Sequence, residues 1–269
     1  MNPEINNHFR NEGYYKFSIP NFDNSFFRSE INEIRKTYNR NTEIIEIQDI
    51  INTPLWTIQF NPFILEVCNA IFPNFGFIND FNLQINLVDN SGSLEGWHID
   101  CGSELRENNG NYLFRDDYSF AKIGVFFQEN SIGMGTGIDV LPKSHKLFRL
   151  PRFLYFQFKK FLTAEYLNSV GVTIDVSPGD VVIFDSRLLH RSTPRFPHFT
   201  SDLEKFVFYW EVTTPEHSKG FLDNACRRAA EDISSSSFFK NYLSYTFPKS
   251  YPEKYVKTAR ERNLTVFSL

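Results

Sequence analysis

Hydrophobic positions change their period along this chain, helical near the start and alternating further on. In "FDNSFFRSEINEIRKTYN" (22–39), Ile31, Ile34 and Tyr38 recur at helical spacing and Asn24 or Ser25 stands where a cap belongs, which predicts a helix. "NPFILEVCNAIF" (61–72) predicts a second, with Pro62 in its first turn. Beyond it the runs become short. "NLQINLV" (82–88) alternates polar with apolar residues, and "AKIGVFFQ" (121–128) and "KFVFYWEV" (205–212) are rich in β-formers. "GIDVLP" (137–142) follows a glycine-rich turn, and "GDVVIFDSRLLH" (179–190) starts from Pro178-Gly179. Short strands with turn signals and no βαβ helices between them indicate an antiparallel sandwich or barrel.

Two segments interrupt the pattern. Residues 103–119 form a long polar loop, and 151–169 are helical and strongly aromatic, so lid insertions are expected near 103–119 and 145–175. Further helices are expected near 218–231, 236–244 and 251–262. The organisation is one domain over 1–269, with an N-terminal helical flank (1–75), a β core (76–214) and a C-terminal helical flank (215–269).

Composition narrows the function classes. With 41% hydrophobic and 17% aromatic residues, a substantial core is available, and the thirty phenylalanines suit thick apolar layers or an aromatic-lined cavity. A formal net charge of −4 gives no general attraction to nucleic acid. Cys68, Cys101 and Cys226 are too few and too scattered for a disulfide framework or a zinc ribbon, so a reducing, cytoplasmic setting is expected. No run approaches the ~18 apolar residues of a membrane span, so no membrane partner is expected. Nothing in the sequence fixes an oligomeric state.

Candidate chemistry begins at "EGWHIDCG" (95–102). On a strand, His98 and Asp100 emerge on one face while Trp97, Ile99 and Cys101 turn to the other, where packing is their expected use. One His-x-Asp is common by chance and decides nothing alone. A third ligand would have to come from another strand, and His190 closes "RLLH". Two histidines and a carboxylate on one face of an octahedron leave three positions open, as in non-haem Fe(II) oxygenases, whereas a structural zinc site is closed by four ligands.

"WHID" (97–100), "TGIDVLPKSHK" (136–146) and "SPGDVVIFDSRLLHRSTP" (177–194), in that order, make the chain resemble the phytanoyl-CoA dioxygenase family of Fe(II)/2-oxoglutarate-dependent oxygenases, over roughly residues 60–213. The resemblance implies a mainly β fold with flanking helices around a double-stranded β-helix, the jelly-roll, cupin-like architecture. It implies Fe(II) held by His98, Asp100 and His190, with 2-oxoglutarate as cosubstrate and O2 as oxidant. It also implies a basic residue, after the distal histidine, for the far carboxylate of 2-oxoglutarate. Lys205, fifteen residues after His190, aligns there, with Arg195 and Arg191 in the preceding loop as alternatives. Lysine offers a point charge where arginine offers a two-pronged fork, and a solvated strand-edge lysine is the plainer use of Lys205.

Gln84, Asn86 and Ser192 are further candidate contacts to cosubstrate or substrate, or simply solvated polar positions. Trp97 is expected to pack behind the metal strand, and His145 to mark a turn. Related halogenases replace the carboxylate ligand with a small residue, so an intact Asp100 implies hydroxylation or desaturation. Lys143, Lys146, Arg149, Arg152, Lys159 and Lys160 lie between residues 141 and 164 with no acidic residue among them. They suit an anionic or thioester-carried substrate, or a solvated helix face. Phe148, Phe153, Tyr155, Phe156 and Phe158 can wall a pocket or fill a core. The reading is a hydroxylase acting on an unactivated carbon of a small, anionic metabolite or biosynthetic intermediate. Its alternatives are an inactive cupin-like metal-binding sensor and a peptidyl hydroxylase with a protein partner.

Overall fold

The computed structural model describes residues 3–36, 44–46, 50–87, 96–100, 110–198, 204–218 and 251–267. Its strands in chain order are β1 (Tyr14–Ser18), β2 (Ile44–Glu46), β3 (Gly76–Leu87), β4 (Phe120–Phe126), β5 (Ile138–Val140), β6 (Val172–Thr173), β7 (Asp180–Asp185), β8 (His190–Ser192), β9 (Glu204–Thr213) and β10 (Thr265–Phe267). A seven-stranded sheet runs β1-β7-β4-β9-β3-β10 with β2 also on β3, and a three-stranded sheet runs β6-β5-β8. All pairs are antiparallel except β10 with β3.

The central strands β4, β7 and β9 of the large sheet are buried on both faces, and the period of two sorts the residues of the sheet between them. One set, including Leu83, Ile85, Ile123, Val125, Val181, Ile183, Phe206, Phe208 and Trp210, joins the main core with the helices α1 (Pro3–Glu12), α2 (Asn24–Lys36) and α3 (Pro62–Ile71). The intervening residues Phe126, Val182, Phe184, Val207 and Tyr209 pack with Ile138 and Val140 of the small sheet. Phe206, Phe208 and Trp210 are wholly buried, and each such side chain contributes about 2–3 kcal/mol by leaving water.

Local sequence explains the helix ends. Asn61 Oδ1 accepts from Phe63 N at 3.0 Å ahead of Pro62, as expected for α3. For α2 the cap is Asp23 rather than Asn24 or Ser25, because its Oδ1 accepts from both Phe26 N (3.0 Å) and Ser25 Oγ (2.7 Å). The aromatic stretch 151–169 divides into α4 (Arg152–Lys159) and α5 (Ala164–Val170), with Thr163 Oγ1 capping α5. The last expected helix is α6 (Glu253–Glu261), whose Tyr255 hydroxyl donates to Gln59 within the core. The helices expected near 218–231 and 236–244 fall on 219–250, outside the described residues. So does the loop expectation for 103–109, while Gly110–Phe114 form a 3-10 helix. No helix among the described residues is long and apolar enough to cross a membrane.

Three expectations are corrected. "EGWHIDCG" is not a strand over its described residues 96–100. It forms a single rung, in which His98 N donates to His190 O and His190 N to His98 O, both at 2.9 Å. "GDVVIFDSRLLH" is two elements, because β7 stops at Asp185, whose Oδ1 accepts from Arg187 N (2.9 Å) and Nε (3.0 Å) and closes a turn. His190 therefore opens β8 in the small sheet instead of ending the preceding strand. Finally, the flanks are not purely helical, since β1 adds to β7 and β10 to β3.

Candidate metal centre

His98 and His190 face each other across that one rung, with ring centroids 4.3 Å apart. Asp100, whose amide donates to Ser186 O at 3.1 Å, swings its carboxylate between them. Asp100 Oδ1 lies 3.9 Å from His98 Nε2 and 3.5 Å from His190 Nε2. One ligand atom from each of the three residues lies within 4.8 Å of the others. Ligands about 2.1 Å from one octahedral ion stand roughly 3 Å apart, so a small contraction would bring all three onto a cation.

The donors are poised for one. His98 Nδ1 faces Gly96 O at 2.6 Å and His190 Nδ1 faces Leu188 O at 2.9 Å. A carbonyl only accepts, so each Nδ1 carries a proton and Nε2 is the nitrogen that each ring can offer to an ion. Partial burial and the adjacent His190 lower the pKa of His98, favouring the neutral imidazole that a metal requires. Burial opposes ionisation of Asp100, but Lys122 and the two histidines outweigh it and hold the carboxyl well below the usual range. Its Oδ2 is buried without a hydrogen-bond partner, a costly state that an ion would relieve. The residues present fit a divalent cation with half its coordination sphere open.

A cavity of about 200 Å³ opens beside the three residues, lined also by Gln84, Lys122, Phe184, Ser192, Lys205 and Tyr209 among others. Lys205 is not at a sheet edge, because β9 is paired on both sides, with β3 and with β4. Burial, with Lys122 adding to it, pulls its pKa down to about 8, and its ammonium donates to Ser192 Oγ at 3.1 Å. Gln84 reaches the same wall. Arg195 does not; its Nε points to Met134 O at 3.4 Å, on the bridge those two residues form. The side chain of Asn86, and Cys101, lie outside the described residues.

Arg191 lines the cavity but is engaged by Asp139, 3.1 Å from its Nε, and stacks on Trp97. Trp97 in turn donates to Asn168 of α5 at 3.0 Å, which gives it the packing role expected. His145 is buried and does not line the cavity, with Nε2 3.1 Å from Arg10 O. Of the lid aromatics, Phe148 and Tyr155 meet at a tilt with ring centroids 4.6 Å apart, in a small core with Phe114. Phe153, Phe156 and Phe158 remain exposed, and none lines the cavity.

Sequence reasoning missed Lys122 and Tyr209. Lys122 Nζ lies 3.6 Å from Asp100 Oδ1 and 3.9 Å from Glu211 Oε1. The signal was a lone lysine alternating with Ala121, Ile123 and Val125 in an otherwise apolar strand. Gly124, opposite Tyr209 in the sheet, makes room for that ring, since a Cβ there would stand 2.6 Å from Tyr209 Cε1.

Comparison with known proteins matches this geometry to a group. Residues 136–195 fit the model of the phytanoyl-CoA dioxygenase family. HygX from Streptomyces hygroscopicus, solved with nickel and 2-oxoglutarate bound, superposes with a TM-score of 0.58 at 12% identity, over 80% of this chain and 88% of that one. The α-ketoglutarate-dependent carbocyclase SnoK from nogalamycin biosynthesis gives 0.55 at 13% identity, over 80% and 84%. EvdMO1 gives 0.53 at 16% identity over 79% of this chain, which spans only 50% of that longer protein. No curated protein sequence is significantly similar. At such identities the structural likeness establishes the double-stranded β-helix fold. The segment that fits the phytanoyl-CoA dioxygenase model, residues 136–195, holds both β5 and the distal histidine, so the chain is similar to that family over this part of the fold.

Proposed function

We propose that this protein is a cytoplasmic Fe(II)/2-oxoglutarate-dependent hydroxylase of a small, anionic metabolite, with His98, Asp100 and His190 holding the iron. The convergence of two Nε2 atoms on a carboxylate with a buried, unpartnered oxygen carries the reading. Iron with 2-oxoglutarate and O2 supplies oxidising power, turning the cosubstrate into succinate and CO2 while a substrate C–H bond is oxidised. Every other task falls to the chain. Lys205 and Ser192, already 3.1 Å apart, are spaced to receive the far carboxylate of 2-oxoglutarate, and Gln84 offers an amide donor on the same wall. Phe184, Ile138 and Tyr209 supply the apolar part of the cavity wall. Lys122 and Arg191 also line the cavity, each balanced by a neighbouring carboxylate, so the anionic character of the substrate rests on Lys205 and the basic segment 143–160. The intact Asp100 supports oxidation of carbon over halogenation.

Anaerobic titration of the metal-free protein with Fe(II) and then 2-oxoglutarate tests the assignment. A weak visible charge-transfer band, followed in air by succinate formation, is the expected result. Neither band nor succinate would make the protein a metal-binding sensor instead. Succinate formation stimulated by peptides, and not by small acids, would transfer the substrate class to a protein partner.

A further inference from the structure

The helices α4 and α5 expose far more aromatic surface than a solvated flank requires. Phe153 is 67% exposed, Phe161 75%, Phe158 49% and Tyr166 49%. Tyr155 holds α4 to the body through Phe148 and Phe114, and Leu167 is the buried residue of α5. The charge of this region is predominantly positive, with exposed Glu165 at the start of α5 the acidic exception. Six basic residues and no acidic one lie between 141 and 164, and Arg149, Lys159 and Lys160 are exposed.

We propose that the α4–α5 hairpin, with the basic segment leading into it, docks on an anionic lipid bilayer. Phenyl rings flanked by lysine and arginine are the composition of an element that lies in a membrane interface, and the cytoplasmic leaflet supplies the complementary negative potential. Shape favours lipid over a folded partner. Phe156 and Phe158 are about 200° apart around α4 at 100° per residue, and the rings continue through the turn at Phe161 to Tyr166. A folded protein covers one face of such a ridge, whereas acyl chains and headgroups close around it. Interfacial docking needs no spanning helix, so it departs from the expectation of no membrane partner, which rested on the lack of an apolar run long enough to span.

The surface is connected to the cavity. Asn168 Oδ1 in α5 accepts from Trp97 Nε1 at 3.0 Å and from the Arg191 guanidinium. Trp97 adjoins His98, and Arg191 lines the cavity wall, so the docking element braces the rim of the site. The inference concerns where the protein works and does not depend on the catalytic reading.

Flotation of the whole chain with vesicles tests it, using phosphatidylcholine alone or phosphatidylcholine with about 30% phosphatidylglycerol as the anionic lipid. The parent protein is expected to float with the anionic vesicles and to stay behind with the neutral ones. Lys159→Gln/Lys160→Gln should weaken partitioning about thirtyfold, at roughly a factor of five per charge. Phe153→Ser/Phe161→Ser, which changes two mostly exposed rings, should weaken it at least about tenfold. Both variants should keep the parent's circular dichroism and thermal midpoint. Absence of flotation at every lipid composition would overturn the proposal. So would Phe153→Ser/Phe161→Ser floating as the parent does, which would reduce the contact to adsorbed charge. A parent that sediments as a dimer without binding vesicles, and becomes monomeric in the phenylalanine variant, would assign the face to a second copy of this chain.

Discussion

The two faces of β9 divide labour between residues that are neighbours in sequence. Phe206, Phe208 and Trp210 point into the helix-covered core, which is mainly apolar, with the Arg28 guanidinium over the Phe206 ring at its margin. Lys205 and Tyr209 point the other way, into a cavity holding imidazoles, a carboxylate and a second lysine. Both faces are buried, so exposure does not distinguish them; what differs is how each pays the cost of burial. The core face gains from leaving water. The cavity face carries polar groups whose desolvation is compensated only when they bind something. Stability and chemistry should therefore separate at a spacing of one residue.

The comparison breaks most visibly at the metal ligands. Asp100→Ala should lower succinate formation at least roughly a thousandfold, beyond the 10–100-fold that loss of an outer partner costs. Its thermal midpoint without metal should stay close to the parent's. His98→Ala and His190→Ala should behave alike, and substantial turnover surviving in any of the three would remove that residue from the set. Trp210→Ala, on the opposite face, should cost about 3–5 kcal/mol in chemical denaturation while leaving the iron and 2-oxoglutarate requirements of the folded fraction unchanged. A shift in either requirement would show that the two faces are coupled.

Smaller effects sharpen the picture at Lys205. Lys205→Ala should raise the KM for 2-oxoglutarate about 10–100-fold, the value of a charged hydrogen bond, without changing the iron requirement. Equal effects on both would mean that the anchor lies elsewhere, with Lys122 the nearest cation to test. The pH profile gives the gentlest test. With a pKa near 8, Lys205 is charged at neutral pH and loses its proton as pH rises, so the KM for 2-oxoglutarate should climb by up to about tenfold per pH unit above that value. Lys205→Arg should flatten the climb, since guanidinium keeps its charge across the range.

Much of this arrangement was legible in the sequence, and the parts that were not share a cause. The alternating and β-rich runs marked β3, β4, β7 and β9, and Pro62 after Asn61 marked α3, because those signals are local. His98, Asp100 and His190 were nameable from residue type and order. Their joining as a single rung was not, because the pairing partners are ninety-two residues apart and neither segment is a strand for long. The turn that hands the chain from one sheet to the other rests on Asp185 holding Arg187, a contact made by side chains and invisible to any periodicity. Lys122 escaped notice because a single lysine in an apolar strand reads as a solvent-facing position until the sheet is known to be covered on both sides. Arg195 drew attention by being near His190 in the chain, but distance along a strand and loop says little about which way a guanidinium turns.

That lone rung also governs how the site can fail. Since the two imidazoles are opposed through one pair of backbone bonds, slipping the pairing by a residue would turn one of them to the far side of the sheet. Graded loosening is then not available to the chelate: a chain that misregisters there forfeits the ion outright, and one that pairs correctly recovers it whole. An ion already in place would reciprocate, clasping residues 96–100 against the small sheet and making a chelator act as a local unfolding agent.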